Sequence, residues 1–252
     1  REEAHAKPVA LAEALKIRVI TKGPPFTMTA LRPLWKKLHT VLRQHPTFQL
    51  IGTPLTEEIL LQQLGYHLKD GETYLSGDYE SATDKIHSWA SEYVAECIAT
   101  ELKLAPAESR MLKKALTGHI LSGKPQRVGQ FMGSIVSFPV LCILNATASR
   151  WAIELAEQQV RLLRDCRMLI NGDDVVIRSK AEVYRFWKLT TSFIGLVESV
   201  GKTYVSRTFL EMNSTRYDRT EQDHTIYVTE KSGRGKVERQ SRLVLVPYVN
   251  MG

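Results

Sequence analysis

Residues 169–177 read LINGDDVVI, two adjacent aspartates set straight after Asn171-Gly172 and between two apolar runs. The flanks, Met168-Leu169-Ile170 and Val175-Val176-Ile177, have the look of short buried strands, and Asn-Gly is the strongest short hairpin signal. Asp173 and Asp174 therefore belong at the tip of a hairpin. Neighbouring carboxylates repel each other and resist burial unless a cation or another partner compensates. Positive charge is expected at this point.

Composition allows a core large enough to hold such a hairpin. The chain has 252 residues, 43% hydrophobic and 24% charged, with no low-complexity tract, enough for one substantial core or two subdomains. Its formal net charge of +7 suggests a polyanionic partner, nucleic acid first, with simple solubility as the plainer account. Cys97, Cys142 and Cys166 lie in apolar contexts without Cys-x-x-Cys spacing. They read as small buried hydrophobes in a reducing compartment, neither a disulfide framework nor a zinc site. No apolar run approaches the roughly 18 residues that span a bilayer. The start, REEAHAKPVALAEALK, carries neither an initiator Met nor a signal-peptide pattern, and reads as an internal piece of something longer.

Periodicity lays out an α+β architecture. KIRVITK (16–22) alternates like a half-buried strand, with Ile17, Val19 and Thr21 on one side and Lys16, Arg18 and Lys22 on the other. Residues 29–43 have helical spacing with Pro33 near the first turn. A second helix is predicted from an N-cap at Thr56 to about Gly65. ETYLSGD (72–78) reads as a strand ending at Asp78. A helix is predicted from Thr83 to about Leu102, its apolar stripe including Trp89, Tyr93 and Cys97. Another is expected from about Pro139, capped near Ser137 or Phe138, to about Leu162. A third runs over 180–199 and ends at Gly201. RTFLEMNS (207–214) and SRLVLVPYV (241–249) are strand-like, with the basic loop KSGRGK (231–236) between them.

Asp78 and Asp173 each end or turn a strand, so pairing of those strands would bring both carboxylates to one edge. Shared carboxylates holding two divalent ions roughly 3.5–4 Å apart form the clamp used for in-line phosphoryl displacement. Mg²⁺ suits it, because it takes one or two protein carboxylates and fills its shell with phosphate oxygens and water. The cationic face of residues 16–22 offers a triphosphate three charges in a row, Arg18 with a bidentate fork and Lys16 and Lys22 as point charges. A solvated turn and a solvated strand face are the plainer accounts of these two features taken singly.

In order along the chain, KIRVITKG (16–23), SGDYESATD (76–84), GQFMGSIVSFPVLCILN (129–145), NGDD (171–174), VGKTYVSRTF (200–209) and FLEMNS (209–214) resemble motifs F, A, B, C, D and E of a viral RNA-dependent RNA polymerase. The ourmia-like (botourmiavirus) and narnavirus group is the nearest in flavour, with five residues between the two aspartates of motif A. The resemblance implies a right-hand polymerase fold, with a palm at 71–103 and 128–220, part of the fingers at 1–70 and 104–127, and a palm-to-thumb segment at 221–252.

It also implies roles. Asp78, Asp173 and Asp174 would hold two Mg²⁺ ions, with Mn²⁺ as a substitute, and Lys202 would be the general acid toward pyrophosphate. Lys16, Arg18 and Lys22 would meet the NTP triphosphate, while Asp84, Ser137 and Asn145 would read its ribose. Asn145 departs from the picornavirus pattern, whose asparagine position is here Leu141, so helix-face polarity is the competing account of it. Gly129, Gln130, Gly133 and Ser134 would form the motif B loop against template and nascent RNA, and Phe209, Glu211 and Asn213 the grip on the nascent 3′ end. The implied partners are RNA and NTPs, not DNA, in replication of a positive-strand virus genome in the host cytoplasm, with the mitochondrion as an alternative. Two rivals remain at this point: a reverse transcriptase, against which Asp84 and the Gly-Asp-Asp tip argue, and a decayed polymerase kept as an RNA-binding module, against which the intact acids and cations argue. A generic nucleotide-binding protein finds no P-loop or Gly-x-Gly-x-x-Gly to rest on.

Overall fold

The structure, a computed structural model, describes residues 2–13, 16–226 and 236–247. The side chains of residues 13, 16, 221–226 and 236–241 fall outside that description, as does most of the basic loop at 231–236.

The chain opens with an antiparallel hairpin, β1 (His5–Glu13) and β2 (Lys16–Lys22), whose first strand the sequence pattern did not reveal. The alternation read in β2 does not bury its apolar side: Ile17 is 72% and Val19 64% exposed. Pairing with β1 satisfies one edge of this strand's backbone, but its apolar side is left open to solvent. Two helices follow, α1 (Pro25–Ala30) and α2 (Arg32–Arg43), with Pro33 in the first turn of α2 as expected. Thr56 caps α3 (Glu57–Leu64) by accepting a 3.3 Å hydrogen bond from the Ile59 amide.

Strand β3 (Glu72–Gly77) leads into Asp78 and then α4 (Ala82–Lys85) and α5 (Ser88–Glu101). One continuous helix was expected from Thr83. It breaks at Ile86-His87 because the backbone there bonds elsewhere: the Ile86 carbonyl accepts from the Gly129 amide (2.9 Å), and the His87 amide donates to the Ile194 carbonyl (3.0 Å). The break also turns the stripe, so that Ala90, Ser91, Val94, Ala95 and Ile98 are buried. Trp89, Tyr93 and Cys97, expected inside, are exposed.

Helix α6 (Pro106–Thr117) and the short strands β4 (Ile120–Leu121) and β5 (Lys124–Pro125) were not anticipated. The long α7 (Ser137–Glu157) stops a turn before the expected Leu162, at Gln158 in the left-handed region (φ 55°). The hairpin strands β6 (Met168–Asn171) and β7 (Asp174–Lys180) come next. Helix α8 (Val183–Phe193) also ends early, because Gly195 (φ 87°) packs where a Cβ would stand 2.4 Å from the Lys85 carbonyl oxygen. The described chain closes with β8 (Tyr204–Ser206), β9 (Phe209–Met212), β10 (Thr215–Ile226) and β11 (Lys236–Leu245).

The central sheet has the order β6-β7-β3-β8, antiparallel throughout. Both faces are covered. Leu75, Ile170, Val175 and Ile177 pack toward Val140, Ile153 and Trp187 of α7 and α8, while Tyr74, Leu169 and Val176 pack toward Leu60, Leu64 and Leu210. That is why these strands read as unbroken apolar runs rather than as alternation.

Candidate active site

The sheet register fixes the first half of the site. Ser76 pairs with Val176 and Gly77 with Val175, so one further step puts Asp78 level with Asp174. Gly77 has no alternative at this crossing: a Cβ there would stand 2.6 Å from the Trp187 ring and 2.8 Å from Val175. Beyond Gly77 the Asp78 backbone is held from the far side, its carbonyl accepting from the Ser199 amide (2.8 Å) and from the Thr203 hydroxyl (3.3 Å).

The hairpin tip is one residue later than the Asn-Gly signal suggests. Asn171 pairs with Asp174, so the two-residue loop is Gly172-Asp173. Gly172 has φ 69° whereas Asp173 is not among the positive-φ residues, which is the pattern of a type II′ turn with glycine first. The shift places Asp173 at the apex and Asp174 at the start of β7.

Asn145 braces this tip from below. It is fully buried, and its amide nitrogen donates to the carbonyls of Gly172 (3.0 Å) and Asp173 (3.5 Å). Its amide oxygen accepts from Tyr79 Oη (2.8 Å) and Ser149 Oγ (3.2 Å). Tyr79 follows Asp78 in the chain and stacks on Trp187 at 5.1 Å, so one amide ties both acid-bearing segments together. The ribose-reading role expected of Asn145 does not fit this burial, because its hydrogen-bonding groups face protein. Tyr79 and Ser149 were missed; the Asn145/Ser149 pair, four apart on an apolar helix, was the available signal.

Ser137 and Gln130 also stand inside rather than open to a ligand. Both are buried, and the Gln130 amide donates to the Ser137 carbonyl and hydroxyl while accepting from Ser91 Oγ (2.9 Å). Ser134 is buried with its hydroxyl unpaired among the described residues. The two loop glycines are sites of close approach. A Cβ at Gly129 (φ 82°) would lie 2.8 Å from the Asp84 carbonyl oxygen, and one at Gly133 would overlap the Thr21 carbonyl oxygen of β2. Asp84 itself is exposed in the first turn of α4 and borders a cavity of about 480 Å³ together with Thr21, Gly129 and Gln130.

Electrostatics explain why this edge wants a cation. Burial and the neighbouring Asp173, Asp78 and Glu211 push the Asp174 carboxyl up to about 7. Burial, then Asp78, raises Asp173 as well, against the pull of Arg18 and Lys202; Asp173 keeps exposed surface, so solvent screens part of this. Lys202, 73% exposed, reaches Asp78 Oδ2 at 3.5 Å. Glu211 is held near by a hydrogen bond that its backbone amide donates to Ser76 Oγ (2.8 Å), and Asn213 (φ 52°) accepts from the Asn171 side chain (3.1 Å). Phe209 lies under the Arg216 guanidinium at 4.2 Å. Lys22 is exposed on β2, while the Lys16 side chain lies outside the described residues. Among the described residues, no three His, Cys, Asp or Glu side chains already surround one ion position. The donor set nevertheless fits a hard divalent ion, being all carboxylate oxygen and carrying repulsion that such an ion relieves.

The RNA-dependent RNA polymerase of Ourmia melon virus (isolate Melon/Iran/VE9) is 33% identical over 228 residues. The chain belongs to the viral RNA-dependent RNA polymerases. That alignment covers 82% of this chain and 26% of the relative. No family model matches. Two crystal structures of the RNA-dependent RNA polymerase of a human picorbirnavirus share the fold. The insertion-loop deletion mutant superposes with a TM-score of 0.66 at 12% identity, over 86% of this chain and 44% of that one. The second gives 0.65 at 13%, over 86% and 43%. The chain thus spans about a quarter of its curated viral polymerase relative and less than half of the solved ones. No helix among the described residues is long and apolar enough to cross a membrane.

Proposed function

We propose that the chain is the catalytic part of an RNA-dependent RNA polymerase that performs templated nucleotidyl transfer. The 3′-hydroxyl of growing RNA attacks the α-phosphate of an NTP and pyrophosphate leaves. In this reading residues 71–103 and 128–220 are the palm, 1–70 and 104–127 part of the fingers, and 221–252 the way to the thumb. The template is a positive-strand RNA virus genome, copied in the host cytoplasm.

The observation that carries the reading is the meeting of Asp78, Asp173 and Asp174 at one sheet edge, under the influence of Arg18 and Lys202. Asp78, Asp173 and Asp174 would hold two Mg²⁺ ions (Mn²⁺ substituting), which when bound lower the pKa of the attacking hydroxyl and steady the leaving pyrophosphate. The protein's own groups do the remaining work. Arg18 and Lys22 draw the triphosphate to β2. Lys202, exposed on the same edge, stands to give a proton to pyrophosphate. Asp84, exposed beside Gly129, accepts from the ribose 2′-hydroxyl; a deoxyribose leaves it unpaired, which is how such a site discriminates strongly. Phe209, Glu211 and Asn213 lie on or just beyond β9, where the nascent strand would be gripped.

The test is Mg²⁺-dependent extension on an RNA template by the wild type and by Asp173→Ala, with NTPs and dNTPs in parallel. Product from the wild type alone, and from NTPs, is expected. Equal product from both proteins, or equal use of dNTPs, contradicts the reading.

A further inference from the structure

Between Glu13 and Glu57 the chain passes 43 positions without an Asp or Glu, yet this stretch carries seven Lys and Arg. Four of them, Arg32, Lys36, Lys37 and Arg43, lie on α2. Elsewhere several cations have carboxylates beside them: Lys113 with Glu92 and Glu96, Arg161 with Glu157, Arg178 with Glu72. Among the described residues, none of the four on α2 has a carboxylate partner.

Helix geometry sorts the four. At about 100° per residue, Arg32, Lys36 and Arg43 fall within about 40° of one another, while Lys37 points about 100° away from Lys36. The three in line extend over about 16 Å of the helix. His39 sits next to this line, about 20° from Arg32. Its ring stacks on Phe138 at 5.7 Å, and Phe138 is the ring that a Cβ at Gly172 would meet at 3.1 Å. The cation line therefore runs along the flank of α2 that adjoins the Asp173 hairpin.

We infer that Arg32, Lys36 and Arg43 form a second RNA contact, a phosphate track that holds the strand passing the active-site hairpin. The inference rests on the reading that RNA reaches that hairpin. A row of unpaired cations without acids suits a periodic polyanion, contacted at its backbone and without regard to sequence. A lipid surface is the poorer fit, since Leu38 and Leu42, the apolar side of α2, are already buried in the core and cannot insert.

The experiment measures binding of the 252-residue chain to a fluorescent single-stranded RNA over a range of salt concentrations, which needs no synthesis. Three proteins are compared: the wild type, Arg32→Gln/Lys36→Gln/Arg43→Gln, and a charge-matched control, Lys37→Gln/Lys113→Gln/Lys188→Gln. Loss of three phosphate contacts lowers the slope of log K against log[salt] by about 2, at about 0.7 per contact on a single strand. The control is expected to keep the wild-type slope. Should the α2 triple variant fail to fold by circular dichroism, Lys36→Gln alone is expected to lower the slope by about 0.7. An unchanged slope in the α2 variants overturns the track, and so does an equal fall in the control, which would reduce the effect to net charge. Phosphatidylserine vesicles form a separate arm: loss of vesicle binding with the RNA slope intact overturns the proposal in favour of a membrane-facing surface. Failure of wild-type extension would count against the polymerase reading, whereas the slope alone decides the track.

Discussion

The acid side and the cation side of this molecule are built differently. Asp78, Asp173 and Asp174 stand at the rim of a sheet buried on both faces, with Asn145, Tyr79 and Trp187 packed beneath them. Arg18 and Lys22 stand on a hairpin whose Leu11, Ile17 and Val19 are open to solvent. Carboxylates that share an ion must be fixed to within a fraction of an ångström. A grip on phosphates tolerates looser mounting, since charge attraction acts over several ångströms and long side chains adjust. Rigidity is concentrated where repulsion has to be held in place.

Four variants probe that contrast, and the largest effect is expected at Asn145. Asn145→Ala removes the hydrogen bonds made to the Gly172 carbonyl and from the Tyr79 hydroxyl, a stability loss of about 1–3 kcal/mol by chemical denaturation. By analogy with groups that orient metal ligands, kcat should fall about 10–100-fold and the Mg²⁺ requirement should rise. An unchanged Mg²⁺ requirement would make Asn145 a packing residue only. Gly77→Ala, which drives a methyl into Trp187 and Val175, should cost about 1–3 kcal/mol in the same assay. Wild-type stability there would mean the sheet yields at its rim.

A smaller, pH-dependent effect should separate His119 from the site. Burial holds its pKa below the ordinary value of about 6.5, and its ring stacks on Phe131 at 3.8 Å. The unfolded chain therefore takes up the proton first, so stability tied to neutral His119 is lost as pH falls below about 6.5 and is constant above it. Measured against His119→Gln, the wild type should lose its relative stability between pH 7.5 and 5.5; a gain would reverse the sign of this account. The smallest effect is expected on β2: Ile17→Thr/Val19→Thr should change stability by no more than about 0.5 kcal/mol per site, since both residues are already solvated. A larger loss would show that the hairpin is as tightly built as the acid rim.

The parts legible in the sequence are those where local chemistry and tertiary packing agree. The strand leading to Asp78 and the Thr56 cap appear where patterning placed them, and so does the Asp-Asp hairpin, with its tip one residue later than Asn-Gly suggests. Helix ends were less legible, because α4 and α8 stop where Ile86, His87 and Gly195 meet segments distant in the chain. The inward burial of Asn145, Gln130 and Ser137 was also hidden. Polar residues on a helix look alike whether they face a ligand or a carbonyl, and only packing separates the two. Strand β1 escaped notice for a related reason: its pattern is weak, and its pairing with β2 is what makes it a strand.

In the proposed function Asp78 and Asp173, 95 residues apart, serve one cluster of divalent ions. Crystals of the chain soaked in Mn²⁺ and measured at the manganese absorption edge test it directly. Anomalous peaks are expected at ligand distance from carboxylate oxygens of both Asp78 and Asp173, and they should be lost in Asp173→Ala. Manganese bound elsewhere, or bound to one of these carboxylates while the other turns away, would contradict it.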